Sequence, residues 1–381
     1  MLVKLKYLFR ERVEFTKNTS IPCYSVTKKG IIPQLDTIAK TRKIENRKII
    51  YPNDYIFNSR SSRFGSSGLA SSIGSVASVN LVIYPISSLI TMDYMNYYFK
   101  SPLFIYQFYF LGKGIVDDLW STHYEQLKEL VLILPPLNQQ LKKSSFLTLK
   151  CSLIQELFSK IDLLLKKFEE YQASLIYEKI YQNNFLKTSI KLKYLFSIQG
   201  GSTPSTNQLH YWNGSLLFIK PTDINPSQKY LVTTQSKITI EAVFDSSLKV
   251  SPKNSIIFSC RAPIGKINIL LEPAYFSQGC KSLVLIDSSK YCLDFFYYYL
   301  KISVSYFEQL GLGSTFKELY PRQLGSFIMN VPSYSEQQSI SFDLNSIVSI
   351  LKNLKTYYLS LKAHLEEYHS SLLYETFQHL S

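Results

Sequence analysis

Phe168 to Ile180 reads FEEYQASLIYEKI, and Leu365 to Phe377 reads LEEYHSSLLYETF. Two stretches this similar, 197 positions apart, are hard to reach by accident, and they predict that one structural unit occurs twice. A true duplication demands further matches in the same order at similar separations. Lys4-Leu5-Lys6-Tyr7-Leu8-Phe9 returns unchanged as Lys191-Leu192-Lys193-Tyr194-Leu195-Phe196, an offset of 187. Ile56-Phe57-Asn58-Ser59-Arg60 pairs with Ile257-Phe258-Ser259-Cys260-Arg261 at 201. The drift from 187 to 201 places an insertion of about 14 residues in the second copy before Ile257.

Both opening stretches lie in segments without helix breakers. No glycine or proline occurs between Pro136 and Gly200, and none follows Pro332. Ile154, Leu157, Ile161, Leu164, Phe168, Tyr171 and Leu175 alternate three and four apart. Leu351, Leu354, Tyr358, Leu361, Leu365, Tyr368 and Leu372 do the same, each 197 after its counterpart. A helix of about 40 residues is about 60 Å long, more than a compact domain of this size requires. The expectation is two long helices paired as an antiparallel coiled coil that holds the globular parts apart; an ordinary core helix in each domain is the alternative. Each helix follows a proline turn, with Asn138 and Ser335 as candidate N-caps.

A chain of 381 residues predicts two to three domains, and the repeat favours two large ones. A formal charge of +14 makes the surface electropositive, suiting nucleic acid, anionic lipid or an acidic protein. Cys23, Cys151, Cys260, Cys280 and Cys292 are odd in number and form no CxxC pair, which suits a reducing cytoplasm better than a zinc site or disulfide framework. Arg10, Glu11 and Arg12 leave no apolar core for a signal peptide. The charge-free run from Phe64 to Met92 is interrupted by Ser, Gly and Asn, so it reads as buried loop and strand rather than a membrane span. The globular parts, roughly 1–134 and 186–331, alternate short apolar runs with turn clusters and read as mixed α/β. Tyr94 to Tyr109 and Tyr291 to Tyr306 each supply an aromatic-rich helical segment, more suited to core than to base stacking.

The search for catalytic chemistry is negative. The five histidines show no HExxH or other ligand spacing, and Gly200-Gly201-Ser202-Thr203-Pro204 lacks the GKS or GKT ending of a phosphate loop. Gly311-Leu312-Gly313-Ser314-Thr315-Phe316-Lys317 fails the GxGxxG pattern. No Asn-Pro-Pro-aromatic tetrapeptide of an amino-methyltransferase is present; Leu134-Pro135-Pro136-Leu137 lacks the amide. Binding is favoured over catalysis. Basic residues collect in the loops: Lys28, Lys29, Arg42, Lys43, Arg60 and Arg63 in the first copy, and Lys220, Arg261, Lys266 and Lys281 near Thr203 and Ser205 in the second. Such a mixture can neutralise phosphates and pair with base edges, and Arg60 and Arg261 stand out by following equivalent strands.

Two basic, loop-rich domains, each followed by a long helix, resemble the specificity subunit of a type I restriction–modification system. The marks are strongest in the second half: Gly200-Gly201-Ser202-Thr203-Pro204-Ser205, Tyr211-Trp212-Asn213-Gly214, Ser259-Cys260-Arg261-Ala262-Pro263-Ile264-Gly265, Gly313-Ser314-Thr315 and Glu336-Gln337. The first half is similar to another subtype through Tyr24-Ser25-Val26-Thr27-Lys28-Lys29-Gly30 and Tyr51-Pro52-Asn53-Asp54, but it has Gln139 where Glu is usual and lacks the Gly-Ser-Thr turn near Gly114. The resemblance implies an α+β chain: target recognition domains at 1–137 and 186–333, with spacer helices at 138–185 and 334–381. It implies a non-catalytic, cytoplasmic subunit without its own cofactor. Each domain reads one half of a bipartite, asymmetric target in double-stranded DNA. The partners implied are two methylation subunits using S-adenosylmethionine and two ATP- and Mg-dependent restriction subunits, with no membrane. Alternatives are the recognition subunit of a related, type IIB-like system, a stand-alone nuclease or methyltransferase with unfamiliar motifs, and a coiled-coil scaffold.

Overall fold

A computed structural model describes residues 1–16, 18, 20–34, 47–60, 64–114, 120–182, 186–312 and 317–378. The chain divides into two compact units, Met1–Leu163 with Tyr358–Ser381, and Leu164–Tyr357. Each contains one globular part and a stretch of both long helices.

In the first unit, strand Leu2–Lys4 pairs antiparallel with Val131–Ile133, so the globular part opens and closes on one ribbon. A short 3-10 turn, Leu5–Tyr7, then buries Leu5, Leu8 and Phe9 and leaves Tyr7 exposed. The repeated KLKYLF is thus a hydrophobic foot whose lysines face water, where Lys4 and Lys6 both reach Glu129 at 2.8 Å. The main sheet has the order Phe9–Glu11, Asn80–Pro85, Tyr55–Asn58, Ser67–Leu69. The charge-free run forms strands Ser67–Leu69, Gly74–Ala77 and Asn80–Pro85, as its composition predicts. The aromatic segment is two helices, Met92–Lys100 and Pro102–Phe110, with Tyr94, Tyr98, Phe99 and Phe104 buried. Each such ring contributes roughly 1.5–3 kcal/mol through burial. Arg12 lies 4.6 Å from the ring centres of both Tyr51 and Tyr84 and grips Asp54, itself 1% exposed, at 2.7 and 3.0 Å.

The second unit repeats this plan. Thr188–Lys191 pairs with Ile328–Val331, the turn Leu192–Tyr194 buries Leu192, Leu195 and Phe196, and the sheet runs Phe196–Gly200, Cys280–Leu285, Ile256–Ser259, Ile267–Leu270. A fifth strand, Tyr230–Leu231, adds in parallel and lies in the part of the second copy where the offset grows. Helix Leu293–Ile302 buries Phe295 to Leu300 without a break. Beside it Lys229 Nζ meets Asp294 and Asn345 at 2.7 Å each, fixing the recognition domain to the second long helix.

The long helices are Leu137–Tyr181 and Tyr334–Phe377. At 1.5 Å per residue each is about 66 Å long. They run antiparallel: within the first unit Lys143 reaches the Thr376 carbonyl at 2.8 Å, Cys151 lies 3.5 Å from His369, and Asp162 pairs with Lys362 at 2.5 Å. Within the second, Glu169 pairs with Lys355 at 2.6 Å and Lys179 with Asp343 at 2.7 Å. Ile154, Ile161 and Leu351 are buried, and Phe168, Tyr358, Leu361 and Leu365 are half-buried, but Leu157, Leu164 and Leu354 are exposed by 45, 36 and 39%. The seam steps four residues after Ile154, to Phe158, and then three to Ile161, with Cys151 and Leu165 in the same row. Adjacent apolar pairs such as Leu157-Phe158 and Leu164-Leu165 fit either phase. On the second helix the matching seam positions are Lys355, Lys362 and His369, polar residues that an apolar pattern passes over.

The caps also shift by two residues. Ser333, not Ser335, precedes the second helix, and its backbone N–H and hydroxyl both donate to Glu336 Oε2, at 2.8 and 2.7 Å. Asn138 lies inside the first helix, which begins just after Pro136. One turn on, the buried Gln140 and Gln337 occupy equivalent places. Gln140 accepts from the Thr91 amide and donates to Leu89 and Pro135 carbonyls; Gln337 accepts from the Cys292 amide and donates to Pro332.

Candidate nucleic-acid interface

In the second unit several loops converge at one end of the main sheet. The segment after strand Ile256–Ser259 folds tightly on Ser259, whose hydroxyl donates to Pro263 O and accepts from the Lys266 amide, both at 2.9 Å. Gly265 closes the loop at φ +87°, a conformation that a side chain disfavours. Arg261 is left exposed at its tip, and its Nε donates to Glu318 at 3.3 Å. The neighbouring Cys260 amide donates to Gly279 O at 2.8 Å, and a Cβ on Gly279 would lie 3.6 Å from Arg261 Cδ. Gly201 runs so close to Phe276 and Ser277 that a Cβ there would overlap the Ser277 carbonyl. That approach lets Thr203 donate to Gln278. Lys220 donates to Ser236 at 2.9 Å and stands 5.2 Å from the Trp212 ring, whose N–H donates to the Ser205 carbonyl.

This gathers Thr203, Ser205, Lys220 and Arg261 in one loop cluster, with Gln278 and Glu318, which residue-type reasoning did not single out. Lys281 departs from expectation. It is 8% exposed and donates to Gln278 O at 3.1 Å, so its ammonium braces the loop instead of facing solvent. Lys266 is half-buried beside the Ser259 turn. Burial pushes the Cys260 and Cys280 thiols up to about 12, so neither is a ready nucleophile at neutral pH.

The first unit has a corresponding arrangement. Arg60 follows strand Tyr55–Asn58 and bridges Ser121, as Arg261 bridges Glu318. The surrounding bonds match too: the Thr122 amide donates to Ser59 O and the Leu319 amide to Cys260 O, while Ser121 exchanges bonds with Lys113 and Glu318 with Leu312. Lys28 and Lys29 are exposed in the turn joining Tyr24–Thr27 to Gly30–Pro33. Arg42, Lys43 and Arg63 lie outside the described residues. Among the described residues no group of three His, Cys, Asp or Glu side chains could hold a metal, and no helix is long and apolar enough to cross a membrane.

Residues 186–367 match the model of a family described as the type I restriction modification DNA specificity domain. The match takes in the second globular part and most of the second long helix. The MjaIX specificity subunit of Methanocaldococcus jannaschii is 33% identical over 168 residues, 43% of this chain and 38% of that protein. The match thus spans well under two thirds of the relative's own length. By structure, the fold resembles a chain from a study of assembly and conformational transition of the type I R-M system, with TM-score 0.78 and 17% identity, covering 99% of this chain and 97% of that one. It also resembles the HsdS subunit of Thermoanaerobacter tengcongensis, with TM-score 0.56 and 18% identity over 99% and 96% of the two chains. The Arg261 loop and the Glu336-Gln337 helix start both fall inside the matched residues.

Proposed function

We propose that this chain is the DNA-reading specificity subunit of a type I restriction–modification complex. The observation that carries the proposal is the doubled arginine loop, Arg60 and Arg261, on equivalent strands of two domains that each continue into a long helix, one of the domains matching the specificity-domain model. Each domain reads one half of a bipartite target, and their different loops make that target asymmetric. Lys and Arg supply phosphate neutralisation, while Arg, Thr, Ser and Gln supply base-edge contacts. The helices set the number of unread bases between the halves.

The chain directs chemistry without performing it. Methylation subunits bring S-adenosylmethionine, and restriction subunits bring ATP and Mg-dependent translocation and cleavage, in the cytoplasm. Support for two methylation subunits comes from a surface that occurs twice: Leu153 and Leu157 are 48 and 45% exposed on the first helix, and their counterparts Ile350 and Leu354 are 58 and 39% exposed on the second. Isolated apolar side chains need no explanation, but a repeated stripe on paired helices suits helical partners.

Gel shifts of the chain with its methylation partner, against DNA of varied sequence at low and moderate salt, test this reading. Sequence-dependent binding is expected. Absence of any preference would refute it, and methyl transfer by the purified chain alone would favour a catalytic role instead.

A further inference from the structure

Glu318 stands in the second copy where Ser121 stands in the first, each bridging the arginine that follows an equivalent strand. The backbone bonds on either side of that bridge are shared, Thr122 to Ser59 with Leu319 to Cys260 and the Lys113–Ser121 exchange with the Leu312–Glu318 exchange, so the residue across from the arginine is what changes there. Arg60 has Ser121 beside it, hydrogen-bonded to His123 at 3.1 Å, and no carboxylate pairs with it among the described residues. Arg261 is held at two points: its stem lies over Gly279, beside Pro221, and its Nε donates to Glu318. The Arg261 side chain is nevertheless 55% exposed, and Glu318 27%. The bond to Glu318 uses Nε, which leaves the two terminal nitrogens of this exposed side chain for a further partner.

We propose that Glu318 is a positioning residue that aims Arg261 at a guanine in the half-site read by the second domain. The proposal rests on the DNA-reading role given above. Guanine presents N7 and O6 as paired acceptors in the major groove, the arrangement a guanidinium fork matches. A tethered arginine gives up less side-chain freedom on binding than a loose one. The adjacent carboxylate repels backbone phosphates, so the pair favours a base edge over a phosphate. Among the described residues of the first domain Arg60 has no such anchor, and its base preference is correspondingly weaker.

The test uses the full chain in complex with its methylation partner, with binding and methylation read across every single-base variant of both half-sites. Glu318→Ala is expected to reduce the preference for guanine at one position of the second half-site about tenfold. Preferences in the first half-site stay unchanged, and affinity for unrelated DNA is unchanged or higher. Glu318→Gln keeps an acceptor for Nε and retains most of the preference, while Arg261→Lys loses it at the same position. An equal loss across all sequences, a loss in both half-sites, or an unaltered preference at every position in Glu318→Ala would overturn the proposal. If the unaltered complex itself shows no sequence preference, the DNA-reading role fails first, and the two failures are told apart.

Discussion

Replacing Gln337 by Ala removes the link between the start of the second long helix and the recognition domain. Its side chain is 1% exposed, accepts from the Cys292 amide at 2.8 Å and donates to Pro332 O at 2.9 Å. A buried polar group stripped of its partner costs about 1–3 kcal/mol. Two such groups, with water able to reach the half-buried Cys292, put the loss at about 3 kcal/mol. Gln140→Ala orphans three bonds and should cost about 4 kcal/mol. Because two units need not unfold together, hydrogen exchange resolved by segment is the proper assay. Gln337→Ala should lower protection through helix Leu293–Ile302 about 100-fold while sparing helix Met92–Lys100, and Gln140→Ala should do the reverse. Gln337→Glu adds a sign test. A carboxyl buried there has its pKa raised, so the stability it retains is present at low pH and lost as pH rises through the folded value. A loss below about 1 kcal/mol, or equal loosening of both helices by either change, would refute the link.

Inserting one heptad into each long helix preserves the seam and adds about 10.5 Å, about three base-pair steps. Methylome sequencing should then show a longer spacer with both half-sites unchanged; altered half-sites would count against the helices as the ruler. Leu153→Lys with Leu157→Lys should weaken capture of a methylation subunit in sedimentation while leaving the chain folded, since both residues are already exposed. Glu129 hydrogen-bonds Lys4 and Lys6, which hold its carboxyl at about 2, down from 4.5. Its contribution is present above 4.5 and lost as pH falls towards 2. Carboxyl NMR titration should show Lys6→Ala moving the midpoint upward.

The helices were legible because they obey local rules: no glycine or proline for dozens of residues, and a repeated apolar alternation. Phase was not legible, since Leu157-Phe158 and Leu164-Leu165 offer two equally apolar faces. Only packing against the partner helix selects Phe158. Ser333 and Ser335 are chemically alike as cap candidates, and the bond that Ser333 donates to Glu336 distinguishes them. At the site, Arg60 and Arg261 were visible as a repeated position. Lys281 was not separable from the surface lysines, since residue type does not say that a carbonyl of Gln278 waits beside it.

The duplication, the pairing of a loop-rich α/β domain with a long helix in each half, and the arginine after the same strand in both are all readable along the chain. Repetition and periodicity survive in a linear string. Which charged side chains are braced and which stay exposed follows from contacts between residues far apart in the chain. Glu318 lies 57 residues beyond Arg261, and Gln278 lies 75 beyond Thr203. Pairing across such distances comes from the antiparallel sheet and the loops it gathers at one end, and that long-range closure leaves no periodic trace in the sequence.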